Sequence, residues 1–248
     1  MKRIHSDPNR RYRDSVAPSG NEVRFQVAVE QTDLLVVARE DLSREVAGVV
    51  SGLRGSIKNH ILFHPEFAES LVPVEVTDSA PEIIRAMATG SAPCGVGPMA
   101  AVAGTVAEFV AREFATRSPD IIVENGGDIF MHSTRERVVA LLPDPESGAS
   151  IGIRLTCDRF PLSVCSSSAT IGHSLSLGAG ELVTVAAKSG ALADAAATAL
   201  CNMLRNRSSI NMLLAEAERL SAYGLEGVFA QVDGQVAAWG EVELVAVE

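Results

Sequence analysis

Residues 193–200 read Ala-Asp-Ala-Ala-Ala-Thr-Ala-Leu, and this run constrains the fold more than any other. A helix sheathed in alanine has no bulk of its own, so another backbone or a ligand can come close to it. Asp194 and Thr198 are its only hydrogen-bonding side chains. Positions four apart share one helix face, so the carboxylate and hydroxyl stand one turn apart. Both are hard oxygen ligands of the kind Mg²⁺ or Ca²⁺ takes. A helix with a plain polar edge has the same spacing, and spacing alone does not separate the two readings.

The chain of 248 residues is long enough for one large domain or two small ones. At 47% hydrophobic and 21% charged it is a folded protein, and with only 4% aromatic residues its core is built from Val, Leu, Ile and Ala. A net charge of −10 argues against a nucleic-acid binder, which needs a basic face to neutralise phosphates. Cys94, Cys157, Cys165 and Cys201 form no CxxC pair and fit thiols in a reducing compartment. Met1 to Ser19 is polar and basic, with no apolar run after it. No segment approaches the roughly 20 apolar residues of a membrane span. The expectation is a cytoplasmic protein with no nucleic-acid or membrane partner.

Residues 1–21, punctuated by Pro8, Pro18 and Gly20, read as a flexible arm, and 22–248 as one α+β domain or two intertwined subdomains. Val23–Val29 alternates at period two and pairs through Gln31-Thr32-Asp33 with Leu34–Ala38. A helix capped by Asp41 or Ser43 runs to about Leu62, weakened at Gly52 and Gly55 unless those glycines mark close packing. A short helix covers Pro81 to Met87, and an apolar one ends near Phe114. Strands are expected at Ile121–Val123, Ile129–His132, Val138–Leu142, Ile151–Leu155, Leu162–Cys165 and Glu181–Ala187. Helices follow at 191–204 and 209–220. Val228–Val232 and Val236–Val245, joined through Asp233-Gly234, close the chain as a hairpin. Strands followed by helices in each half suggest helices on one face of mostly antiparallel sheets.

Three further constellations can carry chemistry. Gly126-Gly127-Asp128 lies between two strands, where paired glycines let a ligand approach the backbone and the acid can bond it. A tight hairpin turn with a solvated acid explains the same residues. Gly95-Val96-Gly97-Pro98-Met99 leads into a helix and suggests an anion cradle at Gly97, Pro98 and Met99, or a plain loop. Cys165-Ser166-Ser167-Ser168-Ala169-Thr170-Ile171-Gly172-His173-Ser174 is the densest polar cluster. Its hydroxyls at Ser166, Ser167, Ser168, Thr170 and Ser174 can bond phosphate oxygens or a flavin edge, and His173 can move a proton. A rival reading makes Cys165 a nucleophile activated by His173; a third makes the segment a Ser-rich loop with a structural histidine. His60 and His64 read as exposed residues at a helix end.

Taken in order, the GGD turn, the Ser-rich strand end, Gly172-His173-Ser174, Val183-Thr184-Val185 and Ala193–Leu200 resemble the ApbE-like superfamily, the FAD:protein FMN transferases. The resemblance is clear over residues 92–204. A further set, Tyr12-Arg13, Gln31-Thr32-Asp33-Leu34 and Gly172 to Gly178, resembles one branch of that superfamily. It implies a T-fold-like, ApbE-type α+β architecture with FAD and Mg²⁺ as ligands. Residue by residue, it implies that Asp194 and Thr198 hold Mg²⁺ and that His173 deprotonates the acceptor threonine of a target protein. Gly126, Gly127, Asp128 and Ser166–Ser168 would line the nucleotide pocket, which a neighbouring copy in a homo-oligomer could complete. Two departures stand out. The family's Asp-Pro-Arg-Thr-Gly run is replaced by Leu175-Ser176-Leu177-Gly178, and the lysine of the first helix is Ala103. They leave room for a flavin carrier or sensor without catalysis, or for a transferase or hydrolase of another nucleotide- or pterin-like ligand.

Overall fold

The computed structural model describes residues 20–141, 150–168 and 182–247. The chain begins with β1 (Val23–Val29) and β2 (Thr32–Ala38), followed by α1 (Ser43–Phe63), α2 (Glu66–Glu69) and α3 (Glu82–Ser91). Two 3₁₀ turns, Ala92–Cys94 and Pro98–Ala101, lead into α4 (Val102–Phe114). Six strands come next: β3 (Ile121–Asn125), β4 (Asp128–His132), β5 (Arg137–Leu141), β6 (Ser150–Leu155), β7 (Leu162–Ser167) and β8 (Leu182–Ala187). They are followed by α5 (Gly190–Met203), α6 (Ile210–Ser221), β9 (Leu225–Val232), β10 (Gln235–Gly240) and β11 (Glu243–Val247).

Eight strands form one sheet in the order β1-β2-β3-β4-β7-β8-β9-β10, and three form a second in the order β11-β6-β5. Neighbours in both are antiparallel, so the α+β arrangement expected from the sequence is the one observed. Strand alternation sends every second side chain to each face of the larger sheet. On β7, Cys165 faces the helices, whereas Leu162 and Val164 face the small sheet with Met131, Ile153, Leu155 and Phe229. The large sheet is therefore buried on both faces over its central strands.

The helical layer is organised by α5. Ten of its fourteen residues are buried, six of them alanine, and it lies against α3, α4, β7 and β8. α1 is an ordinary amphipathic helix that buries Val46, Val50 and Ile57. Nothing approaches its Gly52 or Gly55, so these weaken the helix without serving a close contact. Its first turn is held by the Asp41 carboxylate, which accepts from the Ser43 N–H at 2.9 Å. α3 runs further than the Pro81–Met87 segment expected, to Ser91.

One expectation about the C-terminal strands needs correction. Val236–Val245 is not a single strand: β10 pairs with β9 in the large sheet, and β11 crosses to pair with β6 in the small one. The break is at Gly240–Val242, where a side chain on Gly240 would lie 2.2 Å from the Glu226 carbonyl oxygen. Period-two alternation persists through a strand that changes sheets, so the pattern alone cannot show the corner. Among the described residues, no single helix is long and apolar enough to cross a membrane.

Candidate functional site

Three strand ends and two helices meet at one end of the large sheet. β3 ends at Asn125 and β4 starts at Asp128, and these two residues are paired across Gly126 and Gly127. Both glycines have positive φ, 73° and 108°, which is the conformation of a two-residue type I′ hairpin. The Gly127 N–H is taken by the Glu124 carboxylate at 2.7 Å. The turn reading of this motif therefore describes the backbone at its glycines. It is wrong for the acid: Asp128 is 8% exposed and not solvated.

Asp128 faces the helices beside Cys165, Ser167 and Asp194. Burial raises its pKa, the Glu124 charge adds to the rise, and hydrogen bonds from the Cys165 thiol and the Ser166 N–H oppose it. Its Oδ1 has no partner, nor does Oγ of Ser167, which is buried on the same face. Cys165 is fully buried. Burial and the charges of Asp128 and Asp194 push its thiol far up, so it is protonated. That state is the reverse of an activated nucleophile, which requires the thiolate.

Asp194 sits where α4 and α5 cross. Gly104 and Gly190 are the point of contact, and a side chain on either would lie 2.3 Å from the carbonyl oxygen of the other. This closeness produces a reciprocal cap. The Asp194 carboxylate accepts the Gly104 N–H at 2.8 Å, in the first turn of α4. Glu108 of α4 in turn accepts the Gly190 N–H at 2.7 Å, in the first turn of α5. Each acid satisfies an amide that the other helix leaves without an internal partner. Burial raises the Asp194 pKa, the Asp128 charge raises it further, and the Gly104 and Ala103 N–H groups act against both. Thr198 is half-buried one turn along the same helix. The sequence pointed to Asp194 but carried no signal for its partner Gly104, which looks like a helix-weakening residue. It also missed Asn125, whose side chain donates to the Ala103 carbonyl at 3.1 Å and ties the hairpin to α4.

Other candidates are placed differently. The Ser166 hydroxyl lies on the opposite face of β7, 2.9 Å from Thr184 Oγ1. Gly97 packs so closely on the Ser70 carbonyl that a side chain there would lie 1.8 Å from it; Pro98 is buried and Met99 packs on the helical core. That contact accounts for the glycine at position 97. Ser168 ends the described stretch, and Thr170, His173 and Ser174 lie outside the described residues. His60 and His64 stack at 4.6 Å at the end of α1, with Phe67 against His60. Among the described residues, no three His, Cys, Asp or Glu side chains converge as a metal site.

A family model described as "AbpE bacteria" matches residues 14–233. A UPF0280 protein of Methanocaldococcus jannaschii is 36% identical over 228 residues, covering 89% of this chain and 92% of its own. A UPF0280 protein of Archaeoglobus fulgidus is 32% identical, covering 90% and 94%. Among solved structures, the ApbE protein of Thermotoga maritima superposes with a TM-score of 0.58 at 13% identity, covering 89% of this chain and 97% of that one. The apo flavinyl transferase ApbE of Pseudomonas stutzeri gives 0.56 at 13%, covering 88% and 94%. Sequence match and architecture agree, and the chain belongs to the AbpE bacteria family, within an ApbE-like superfamily.

Proposed function

We propose that this protein binds FAD together with Mg²⁺ at the α4–α5 crossing and transfers FMN to a hydroxyl of an acceptor protein. The observation that carries this reading is the gathering of Asp128, Ser167 and Asp194 at one sheet end, with the Asp128 Oδ1 and Ser167 Oγ oxygens buried and unpartnered and Thr198 one turn along α5 from Asp194. Two protein oxygens, from Asp194 and Thr198, fit Mg²⁺, which usually takes one or two protein ligands and fills its remaining positions with phosphate and water. Held there, Mg²⁺ would supply charge neutralisation at a pyrophosphate, which would favour departure of AMP. The protein's own groups do the rest. Asp128 Oδ1 and Ser167 Oγ accept or donate to the nucleotide, the Gly126-Gly127 turn admits it close to the backbone, and His173 takes the proton from the acceptor hydroxyl.

Ala103 favours a second reading. The family's lysine stands at this position, beside Asp194, and its absence here removes a cation from the site. A protein that binds FAD and never cleaves it, a carrier or sensor, meets that description. One experiment separates the two. Metal-stripped protein is mixed with FAD with and without Mg²⁺, following binding by flavin fluorescence and AMP by chromatography. Mg²⁺-dependent binding with AMP release supports transfer; binding without release supports the carrier. Absence of binding, or an Asp194→Ala variant that binds as the parent does, sinks both.

A further inference from the structure

A cleft of about 380 Å³ opens in the helical layer, between α3, α4, the start of α5 and the residues after α6. Its volume lies within the usual range for small-molecule sites. Phe109, Leu192, Ala86 and Gly90 are among its apolar lining, and Arg85, Arg112 and Tyr223 bring polar groups to it. It is distinct from the site above. Leu192 lines the cleft, and Asp194 is two residues on, which at 3.6 residues per turn is about 200° around the helix.

The charges in the cleft are not equivalent. Glu108 is spent: one oxygen accepts the Gly190 N–H, and the other accepts Arg112 Nη1 at 3.1 Å. Arg85 gives its Nε to the Ala80 carbonyl at 3.1 Å, and no carboxylate among the described residues pairs with it. Glu82, at the start of α3, is solvent-exposed. Among the described residues the Arg85 guanidinium is thus held in no ion pair, although Glu82 lies one turn before it on α3, in a protein whose net charge is −10. Beside it, Arg219 lies 5.9 Å from the centre of the Tyr223 ring and is anchored to Glu216 and the Pro93 carbonyl. That contact holds the exposed Tyr223 ring beside the cleft, whose lining also includes Phe109.

We propose that this cleft is a second ligand site, for a flat or aromatic small molecule carrying one phosphate or carboxylate group. The anionic group meets Arg85, with Arg112 nearby, and the ring lies between Tyr223 and Phe109. Phenyl phosphate, benzoate and inorganic phosphate are the probes, each titrated into ¹⁵N-labelled full-length protein. Phenyl phosphate or benzoate, whichever carries the preferred head group, is expected to shift the amides of Thr89, Gly90, Leu192 and Tyr223. Inorganic phosphate should bind more weakly than phenyl phosphate. Arg85→Gln should weaken the aromatic probe about tenfold or more, as expected for loss of a charge-assisted pair. Glu82→Gln should tighten it by removing like-charge repulsion. Both residues are on the surface, so the variants keep the fold.

Shifts scattered elsewhere, or an Arg85→Gln variant with unchanged affinity, would overturn the site. Equal binding of inorganic and phenyl phosphate would overturn its aromatic half. Competition by FAD without metal would overturn its independence from the nucleotide site. Loss of FAD binding in Asp194→Ala, with phenyl phosphate binding retained, would show that the two sites stand or fall separately.

Discussion

Gly104 and Gly190 set the distance between α4 and α5, and with it the position of Asp194. An alanine at either glycine must push against backbone oxygen, which cannot rotate away as a side-chain tip does. Gly104→Ala and Gly190→Ala are each expected to destabilise by about 1–3 kcal/mol, the usual cost of overpacking a close contact. Because both relieve the same contact, the double variant should cost clearly less than the sum of the singles, as residues that touch do in a mutant cycle. Urea midpoints of the four proteins measure this, and strict additivity would show that the two glycines do not share one interface. Asp194→Ala also removes the cap of α4, for a loss of about 1 kcal/mol. Its effect on FAD binding must therefore be read at a temperature where the variant is folded.

At the scale of elements, the end of the large sheet opposite the candidate site is closed by a polar cluster. Asp120, 4% exposed before β3, accepts from Arg39 Nε at 3.0 Å and from the Thr134 N–H at 2.7 Å. It thereby joins the end of β2 to the connection between β4 and β5. Burial by itself would raise its pKa, but the Thr134 N–H, the Arg39 guanidinium and the Thr134 hydroxyl together hold it well below the ordinary carboxylate value of 3.8. A depressed folded-state pKa contributes stability that is complete above the unfolded value and is lost as pH falls through the folded one. Stability should therefore decline from about pH 4 downward. Asp120→Asn should lose roughly 1.5–3 kcal/mol at pH 7, from hydrogen bonds to a charged group. It should also show a flatter acid limb in urea unfolding at pH 7, 4 and 3. A parallel acid limb would assign the pH dependence to other carboxylates.

For the whole molecule, the proposed site draws on α5, β4 and β7, which come together only in the folded chain, so a ligand held there would stabilise the fold. Saturation at a hundredfold above Kd adds about 2.7 kcal/mol of stability. A rise in Tm is expected with FAD and Mg²⁺ together, and little with either alone. A rise with FAD alone would remove the metal from the reading. Hydrogen exchange gives an independent check: α5, the most enclosed helix, should hold the slowest amides, and the edge strand β10 faster ones.

Local patterns in the sequence were enough for most of the elements. Alternation marked β1, turn residues marked the hairpins that join β1 to β2 and β9 to β10, apolar periodicity marked α1, and the Gly126-Gly127 pair marked a hairpin, because these features follow from backbone geometry within a few residues. The alanine run around Asp194 likewise announced a helix that others must approach closely. What only the tertiary structure decided are relations between distant segments: the crossing of β11 into the second sheet and the contact of Gly97 with Ser70. The extension of β7 past Cys165 to Ser167, which by strand alternation puts Ser166 and Ser167 on opposite faces, belongs with these. So does the exchange of caps between Asp194 and Glu108, residues 86 apart in sequence, which no local pattern encodes. Its cause is the packing of two backbones at a pair of glycines, and a glycine in a helix has the same signature whether it faces water or a neighbour.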